Sequence, residues 1–196
     1  MEKNKRLRIL VSVSNREGLV EFLNDLKKTF SLEIVATFGT AEYLKKSKIE
    51  ASTVGEITGF PSLFGGRIKM IHLPIFAAVL ADQKNPGHLQ QLKQLKVKPF
   101  DMVIVNLYPF KERVLRKSSH KLIVENIDIG GPAAIRSAAK NFQSMIAICD
   151  PKDYPFIGKE LSKKGKLSLP FKRALAAKVF ALTSQHDKEI NKYLSS

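Results

Sequence analysis

Arg8-Ile-Leu-Val-Ser-Val13 is a short apolar run that breaks off into Ser14-Asn-Arg-Glu17, after which Leu19, Leu23, Leu26 and Phe30 recur at helical spacing. A run of that length closed by polar residues reads as a buried strand, and the recurrence after it reads as the apolar stripe of a helix. Ser14 and Glu17 stand three apart, which predicts a capping box with Ser14 as N-cap and Glu17 as its reciprocal partner. The unit then repeats with a strand over 32–37, Phe38-Gly39-Thr40, and a helix over 41–46 that Thr40 is suited to cap. Strands alternating with helices imply α/β architecture, a parallel sheet flanked by helices.

Working outward, Asp101-Met-Val-Ile-Val-Asn106 and residues 144–149 predict two more buried strands, the first ending where Leu107-Tyr-Pro-Phe110 breaks the pattern. Asn126-Ile-Asp-Ile-Gly-Gly-Pro132 predicts a turn running into a helix with Pro132 at its first position. Residues 55–71, punctuated by Gly59, Pro61, Gly65 and Gly66, predict a long loop of the functional kind. Residues 170–194 read as helix, with Leu175, Val179 and Leu182 on one stripe. The expected organisation is one domain over 1–196, with its core in 7–150 and a helical tail over 151–196.

Cys149 is the single cysteine, so no disulfide can form within the chain. A free thiol without a secretory leader predicts a cytoplasmic protein. The basic N-terminus is followed only by Ile9 to Val13, too short for a signal segment. The longest apolar run, Met70 to Ala81, contains His72 and Pro74 and falls short of the roughly 20 residues that span a bilayer, so no membrane partner is expected. The net charge of +15, from 33 Lys and Arg against 18 Asp and Glu, invites polyanions. Along the chain, however, the excess is thinly spread, without an Arg-rich tract, zinc-finger spacing or an aromatic-basic RNA motif. Nucleic acid is therefore not expected as the main partner, and the charge reads as a generally solvated basic surface whose purpose the sequence leaves open, with steering of a phosphorylated ligand as one hypothesis.

Ligands of open α/β sheets bind at the carboxyl ends of the strands, where helix N-termini offer unpaired N–H groups to phosphate. The candidate loops are residues 12–18, 37–40, 106–110 and those around Asp128. Within them and beside them stand Ser12-Val-Ser-Asn-Arg-Glu-Gly18, Glu56-Ile-Thr-Gly-Phe-Pro61, Gly66-Arg-Ile-Lys69, Asn106-Leu-Tyr-Pro-Phe110, Asn126-Ile-Asp-Ile-Gly-Gly131 and Ala138-Ala-Lys-Asn141. In this order and spacing they resemble the IMP cyclohydrolase domain of the bifunctional purine-biosynthesis enzyme whose second half is AICAR transformylase. The likeness covers nearly the whole chain, including Ala176 to Thr183, and the chain stops about where the transformylase half would begin, as a stand-alone cyclohydrolase or an excised domain would.

The resemblance implies a methylglyoxal-synthase-like fold and closure of the pyrimidine ring of 5-formyl-AICAR to IMP with loss of water, without metal or organic cofactor. It further implies a homodimer in the cytoplasm, with a separate AICAR transformylase as an open second partner. The family's catalytic positions fall on Lys69, Tyr108, Asp128 and Lys140. Lys69 and Tyr108 would serve the formyl oxygen, and Asp128 and Lys140 together would relay the carboxamide proton. Substrate and phosphate positions fall on Ser12, Ser14, Arg16, Thr37, Gly39, Thr40, Arg67, Asn106, Gly130 and Gly131.

Each of these residues has a plainer reading. A lone Lys69 or Lys140 would be solvated, Tyr108 would pack, and Asp128 before two glycines would form or cap a turn. Departures from the family fall in the phosphate cradle. Asn15-Arg16 stands for Asp-Lys, Phe38 for a glycine, Met70 for a threonine expected near the phosphate, and Leu73 for a proline. His72 is kept and reads as structural. These substitutions leave two readings, an active cyclohydrolase with altered substrate binding or a purine-nucleotide-binding paralogue without efficient turnover, beside the third of a nucleic-acid-binding protein. Methylglyoxal synthase itself fits less well, because the Asn126 and Ala138 motifs belong to the cyclohydrolase branch.

Overall fold

The computed structural model describes residues 5–108, 110–115 and 119–195. Five parallel strands, β1 (Arg6–Ser12), β2 (Ser31–Ala36), β3 (Ser52–Thr53), β4 (Met102–Val105) and β5 (Ile146–Ile148), form one sheet in the order β3-β2-β1-β4-β5. Both faces are covered, which is why Ile9–Val11, Ile34–Ala36, β4 and β5 read as continuous apolar runs rather than alternating. Ile9, Val11, Ile34, Met102 and Ile148 pack into one core with α1 (Leu19–Thr29), α2 (Phe38–Lys46) and α9 (Tyr154–Lys164). Leu10, Val35, Val103 and Ala147 point the other way, into a core shared with α4 (Leu73–Leu80), α8 (Gly130–Lys140) and α10 (Leu169–Leu194). The segment beyond residue 150 joins both cores, through Tyr154, Ile157 and Leu161 on one side and Ala176 and Val179 on the other.

The predicted strands are present within two residues of their expected limits, but several local readings are corrected. Ser14 does not cap a helix: α1 begins at Leu19 behind Gly18, whose φ of 66° needs glycine. The Ser14 N–H and hydroxyl are instead bonded to Asn106 and Leu107, and Asn15 Oδ1 accepts from the Glu17 N–H to make the turn. Thr40 is not an N-cap either. α2 starts at Phe38 with Thr37 as N-cap, and Thr40 is buried in its first turn. α8 starts at Gly130, so Pro132 is its third residue, still within the turn where no N–H is needed.

The stretch read as a loop over 55–71 contains the short helix α3 (Val54–Thr58), whose capping box is genuine. The Glu56 N–H donates to Thr53 Oγ1 at 3.2 Å, and Glu56 Oε2 accepts from the Thr53 N–H at 2.9 Å. Beyond it, Leu63 and Ile68 pair across a tip at Phe64–Gly66 in which all three residues have positive φ. Three further short helices, α5 (Pro86–Gln94), α6 (Phe110–Leu115) and α7 (His120–Glu125), complete the chain.

Because all strands are parallel, their carboxyl ends share one edge of the sheet and their amino ends the other. Helices that feed the strands end at the amino edge. Their last turns carry Lys27 and Lys28 in α1, Lys45 and Lys46 in α2, Lys93 in α5 and Lys140 in α8, cations at the negative end of each helix dipole. Among the described residues no helix is long and apolar enough to cross a membrane. Cys149 is buried just after β5, and that burial pushes its thiol up to about 11. We therefore expect no alkylation of the folded protein by iodoacetamide at about pH 8 and stoichiometric alkylation in denaturant, followed by mass spectrometry; rapid labelling of the folded chain would contradict this packing.

Candidate active site

The chain leaves β1 toward β2 on one side and returns to β4 on the other, so the carboxyl ends of β1 and β4 form the switch point where α/β sheets open a crevice. Asn106, just beyond β4, bridges that crevice. Its Oδ1 accepts from the backbone N–H groups of Ser14 (2.7 Å) and Asn15 (2.9 Å), and its Nδ2 donates to the Asn15 carbonyl at 2.7 Å. The Ser14 hydroxyl lies 3.0 Å from the same Oδ1 and 2.9 Å from the Leu107 carbonyl. Ser14 and Asn106 thus use their polar groups on each other and fix the two loops that flank the crevice.

Beside it, at the end of β2, the Thr37 hydroxyl sits between those of Ser12 (3.2 Å) and Thr40 (3.3 Å), and Thr40 Oγ1 accepts from the Val13 N–H. Thr37 caps no N–H of α2 with its side chain. Arg16 leans over this helix start, donating to the Gly39 carbonyl at 3.2 Å while its guanidinium stacks 4.7 Å above the Tyr43 ring. A Cβ at Gly39 would meet nothing within 4 Å, so the approach to the first turn of α2 is open. Open N–H groups at a helix start beside an arginine can hold a phosphate. Phe38 keeps a negative φ and turns a 70% exposed ring to solvent, so it imposes no backbone strain on this cradle.

Asp128 sits one residue ahead of the α8 N-cap Ile129, and its Oδ1 accepts from the Gly131 N–H at 2.9 Å, satisfying one of the open N–H groups of the first turn. A side chain at Gly131 would collide with that carboxylate, its Cβ lying 3.0 Å from Asp128 Cγ and closer still to Oδ2. Gly131 is therefore glycine because Asp128 occupies its side-chain space. At Gly130 a Cβ would stand 3.9 Å from Ile71, which places the 67–73 segment against the start of α8. Lys69, exposed, folds its stem over Gly66, and Tyr108 is 42% exposed two residues past Asn106.

Lys69, Tyr108 and Asp128 thus share the carboxyl edge, whereas Lys140 does not. It is the last residue of α8, which leads into the amino end of β5, and ten helical rises put it about 15 Å from Gly130. The structure does not bring Asp128 and Lys140 together. Arg67, expected on the phosphate, is bound to Glu125 through Nε (3.2 Å) and Nη2. That hydrogen bond holds the Glu125 carboxyl below its ordinary range and raises Arg67. Met70 is buried in the core with α4 and α8 and faces no phosphate.

Two features were missed from sequence. Glu125 carries no local pattern linking it to Arg67. His72 stacks on Phe60 (5.7 Å between rings) with its Nε2 buried and no hydrogen-bond partner among the described residues. The candidates line an open edge rather than a closed cavity. A groove of about 460 Å³ lies away from them on α8 and α10, and one of about 400 Å³ between α1 and α9 reaches the carboxyl edge at Asn15, Gly18 and Asp150.

Comparison with known proteins is consistent along the chain. The MGS-like domain family matches residues 18–133, and the AICARFT/IMPCHase bienzyme family matches residues 138–196. The chain is 43% identical over 188 residues to the bifunctional purine biosynthesis protein PurH of Lactococcus lactis subsp. lactis (strain IL1403), covering 96% of this chain and 36% of that protein. The PurH proteins of Caldicellulosiruptor bescii (43% over 187 residues, 95% of this chain) and Persephonella marina (42% over 186 residues, 95%) are likewise covered over 36% of their length. The chain therefore spans about a third of the curated relatives it matches. Among solved structures, the crystal structure of ForH superposes with a TM-score of 0.75 at 26% identity, covering 94% of this chain and 96% of that one.

Gly131→Ala is expected to destabilise the fold by about 1–3 kcal/mol in denaturant unfolding, since the new methyl overpacks against Asp128. Gly130→Ala, with space around its Cβ, is expected to stay within about 0.5 kcal/mol of the parent. Equal stability of the two variants would contradict the Asp128 placement.

Proposed function

We propose that this chain, which belongs to the MGS-like domain family, is an IMP cyclohydrolase that closes 5-formyl-AICAR to IMP in purine biosynthesis. The observation that supports the reading most is that Lys69, Tyr108 and Asp128 all stand on segments at the carboxyl edge, as does the open helix start at Gly39. The tandem match to two families joined in PurH proteins supports it.

In the proposed reaction the ribosyl phosphate rests on the α2 N-terminus, with Arg16 and the hydroxyls of Ser12, Thr37 and Thr40 nearby. The carboxamide nitrogen attacks the formyl carbon and gives up one proton, which Asp128 accepts through the oxygen not used on Gly131. Negative charge grows on the formyl oxygen, where Lys69 and the Tyr108 hydroxyl donate. That oxygen leaves as water, and the formamido nitrogen loses its proton as the C–N double bond forms. One hydrogen from each nitrogen thus accompanies the departing oxygen, and no redox partner is required. Lys140 takes no part in this scheme, because α8 holds it at the opposite edge. A cytoplasmic homodimer, with a separate transformylase supplying the formylated substrate, completes the proposal.

The second reading, a nucleotide-binding module without efficient turnover, is favoured by one observation: the Arg67–Glu125 pair withdraws a cation from the phosphate. Turnover of synthetic 5-formyl-AICAR, followed by ultraviolet absorbance, separates the two. Lys69→Ala and Asp128→Ala are expected to lower kcat by about 100-fold or more, the scale of lost acid–base catalysis, and Lys140→Ala by less than about threefold. Turnover within about threefold of the parent in either of the first two variants would remove the assignment, and IMP binding without any turnover would favour the second reading.

A further inference from the structure

The charge that is thinly spread along the sequence is gathered by the fold. Every crossover returns to the amino edge of the sheet, and three of the returning segments are Lys45-Lys-Ser-Lys48 before β3, Lys93-Gln-Leu-Lys-Val-Lys98 before β4 and Lys163-Lys-Gly-Lys166 after α9. None contains an acidic residue. The Lys5 ammonium donates to the Gly165 carbonyl at 3.2 Å, which places the third segment beside the start of β1, between the other two. Ahead of β5 the Lys172 ammonium lies 3.4 Å from the Gln143 carbonyl, but this lysine is half-buried beside the Asp101 carboxylate and adds no free cation to the row. All the lysines of the three segments are exposed, and among the described residues only Lys164 forms an ion pair, with Glu160.

Helix dipoles account for lysines in the last turns but not for those in the loops beyond. Lys48 and Lys96 go further. Each follows a helix C-cap with φ of 59° and 54°, the left-handed position where glycine is the usual residue. The chain holds lysine at two places where the backbone disfavours any side chain, and both residues are exposed in the loops that reach this edge. Strain retained at two exposed lysines motivates a functional reading of this edge.

The face lacks what a membrane or a folded protein partner would need. Leu80, Leu95 and Leu169 are exposed there but belong to three separate segments, while Phe38, Phe60, Phe64, Leu73 and Ile129 crowd the carboxyl edge. An interface core or a bilayer anchor requires clustered apolar side chains. A row of lysines from β3 to β4, about 14 Å at the spacing of a sheet, instead matches consecutive phosphates. Lysine predominates over arginine, which suits point contacts to a backbone rather than reading of bases.

We propose that the amino edge binds the phosphodiester backbone of nucleic acid without sequence preference. This replaces the hypothesis that the surplus charge steers substrate, since the carboxyl edge lies some 20 Å away, well beyond the screening length of about 8 Å in physiological salt. It also departs from the expectation that nucleic acid is not a main partner. The proposal is independent of the cyclohydrolase reading.

Fluorescence anisotropy with labelled mixed-sequence oligonucleotides of about 20 nucleotides, single-stranded and duplex, tests it across about 50–200 mM salt. Binding is expected to weaken at least about tenfold over that range, with similar affinity for unrelated sequences. In Lys48→Gly/Lys96→Gly the slope of log Kd against log salt is expected to fall by about 1 to 2. Because glycine suits both positions, that variant is also expected to melt at or above the parent, so lost binding would not reflect unfolding. Absence of binding at the lowest salt, a slope unchanged in the variant, or capture by phosphatidylserine vesicles without oligonucleotide binding would each overturn the proposal.

Discussion

Parallel strands cannot be joined by tight turns, so every connection in this protein must cross the sheet and come back. That single constraint sorts the molecule into two ends. The loops that leave the strands, with the helix N-termini that follow, meet at the carboxyl edge. The helix C-termini and the loops that feed the strands meet at the amino edge. Chemistry that depends on unpaired N–H groups belongs to the first, and cations that complement helix dipoles belong to the second.

At the carboxyl edge the decisive contact is the Asn106 side chain across the switch point. One amide closes the β1 loop onto the β4 loop through three hydrogen bonds to the backbone of Ser14 and Asn15. With that loop fixed, Arg16 reaches the start of α2, and Tyr108 is held two residues beyond the clamp. The Asp128 carboxylate is fixed separately, by capping α8 in the space that glycine leaves at 131. Capping and chemistry are compatible here, because the cap uses one carboxylate oxygen and leaves the other. Two of the departures from the family pattern also lose their force in three dimensions. Phe38 turns outward and Met70 belongs to the core, so neither bulk intrudes on the cradle through the backbone.

Much of this was legible in the sequence. The strands at 8–13, 32–37, 101–106 and 144–149 are apolar on both faces, and runs of that kind are hard to mistake once helical stripes separate them. Local polar patterns misled where tertiary partners compete for the same groups. Ser14-x-x-Glu17 has the form of a capping box, yet Asn106 and Leu107, distant in sequence, take the Ser14 groups, while the true box at Thr53 and Glu56 straddles the start of the stretch 55–71, read as loop because its glycines dominate. Arg67 was legible as a cation but not as one half of a pair, since Glu125 is 58 residues away. Asp128 and Lys140 stay apart within this chain for a geometric reason: α8 runs from Gly130 to Lys140, so ten helical rises lie between its start and Lys140. The charge pattern was invisible for the opposite reason, since lysines scattered over the chain share an edge only after the crossovers close.

The central claim is that the carboxyl edge is a purine-nucleotide site whose cradle is the start of α2 and whose chemical groups surround Asp128. Glycine amides report on it without any substitution, because Gly39, Gly130 and Gly131 lie on that edge while Gly165 marks the other. The measurement is a titration of the ¹⁵N-labelled protein with IMP, followed by amide chemical shifts. Saturable shifts at Gly39, Gly130 and Gly131, with Gly165 unmoved, are expected. Shifts confined to the amino edge, or none at millimolar nucleotide, would contradict the site.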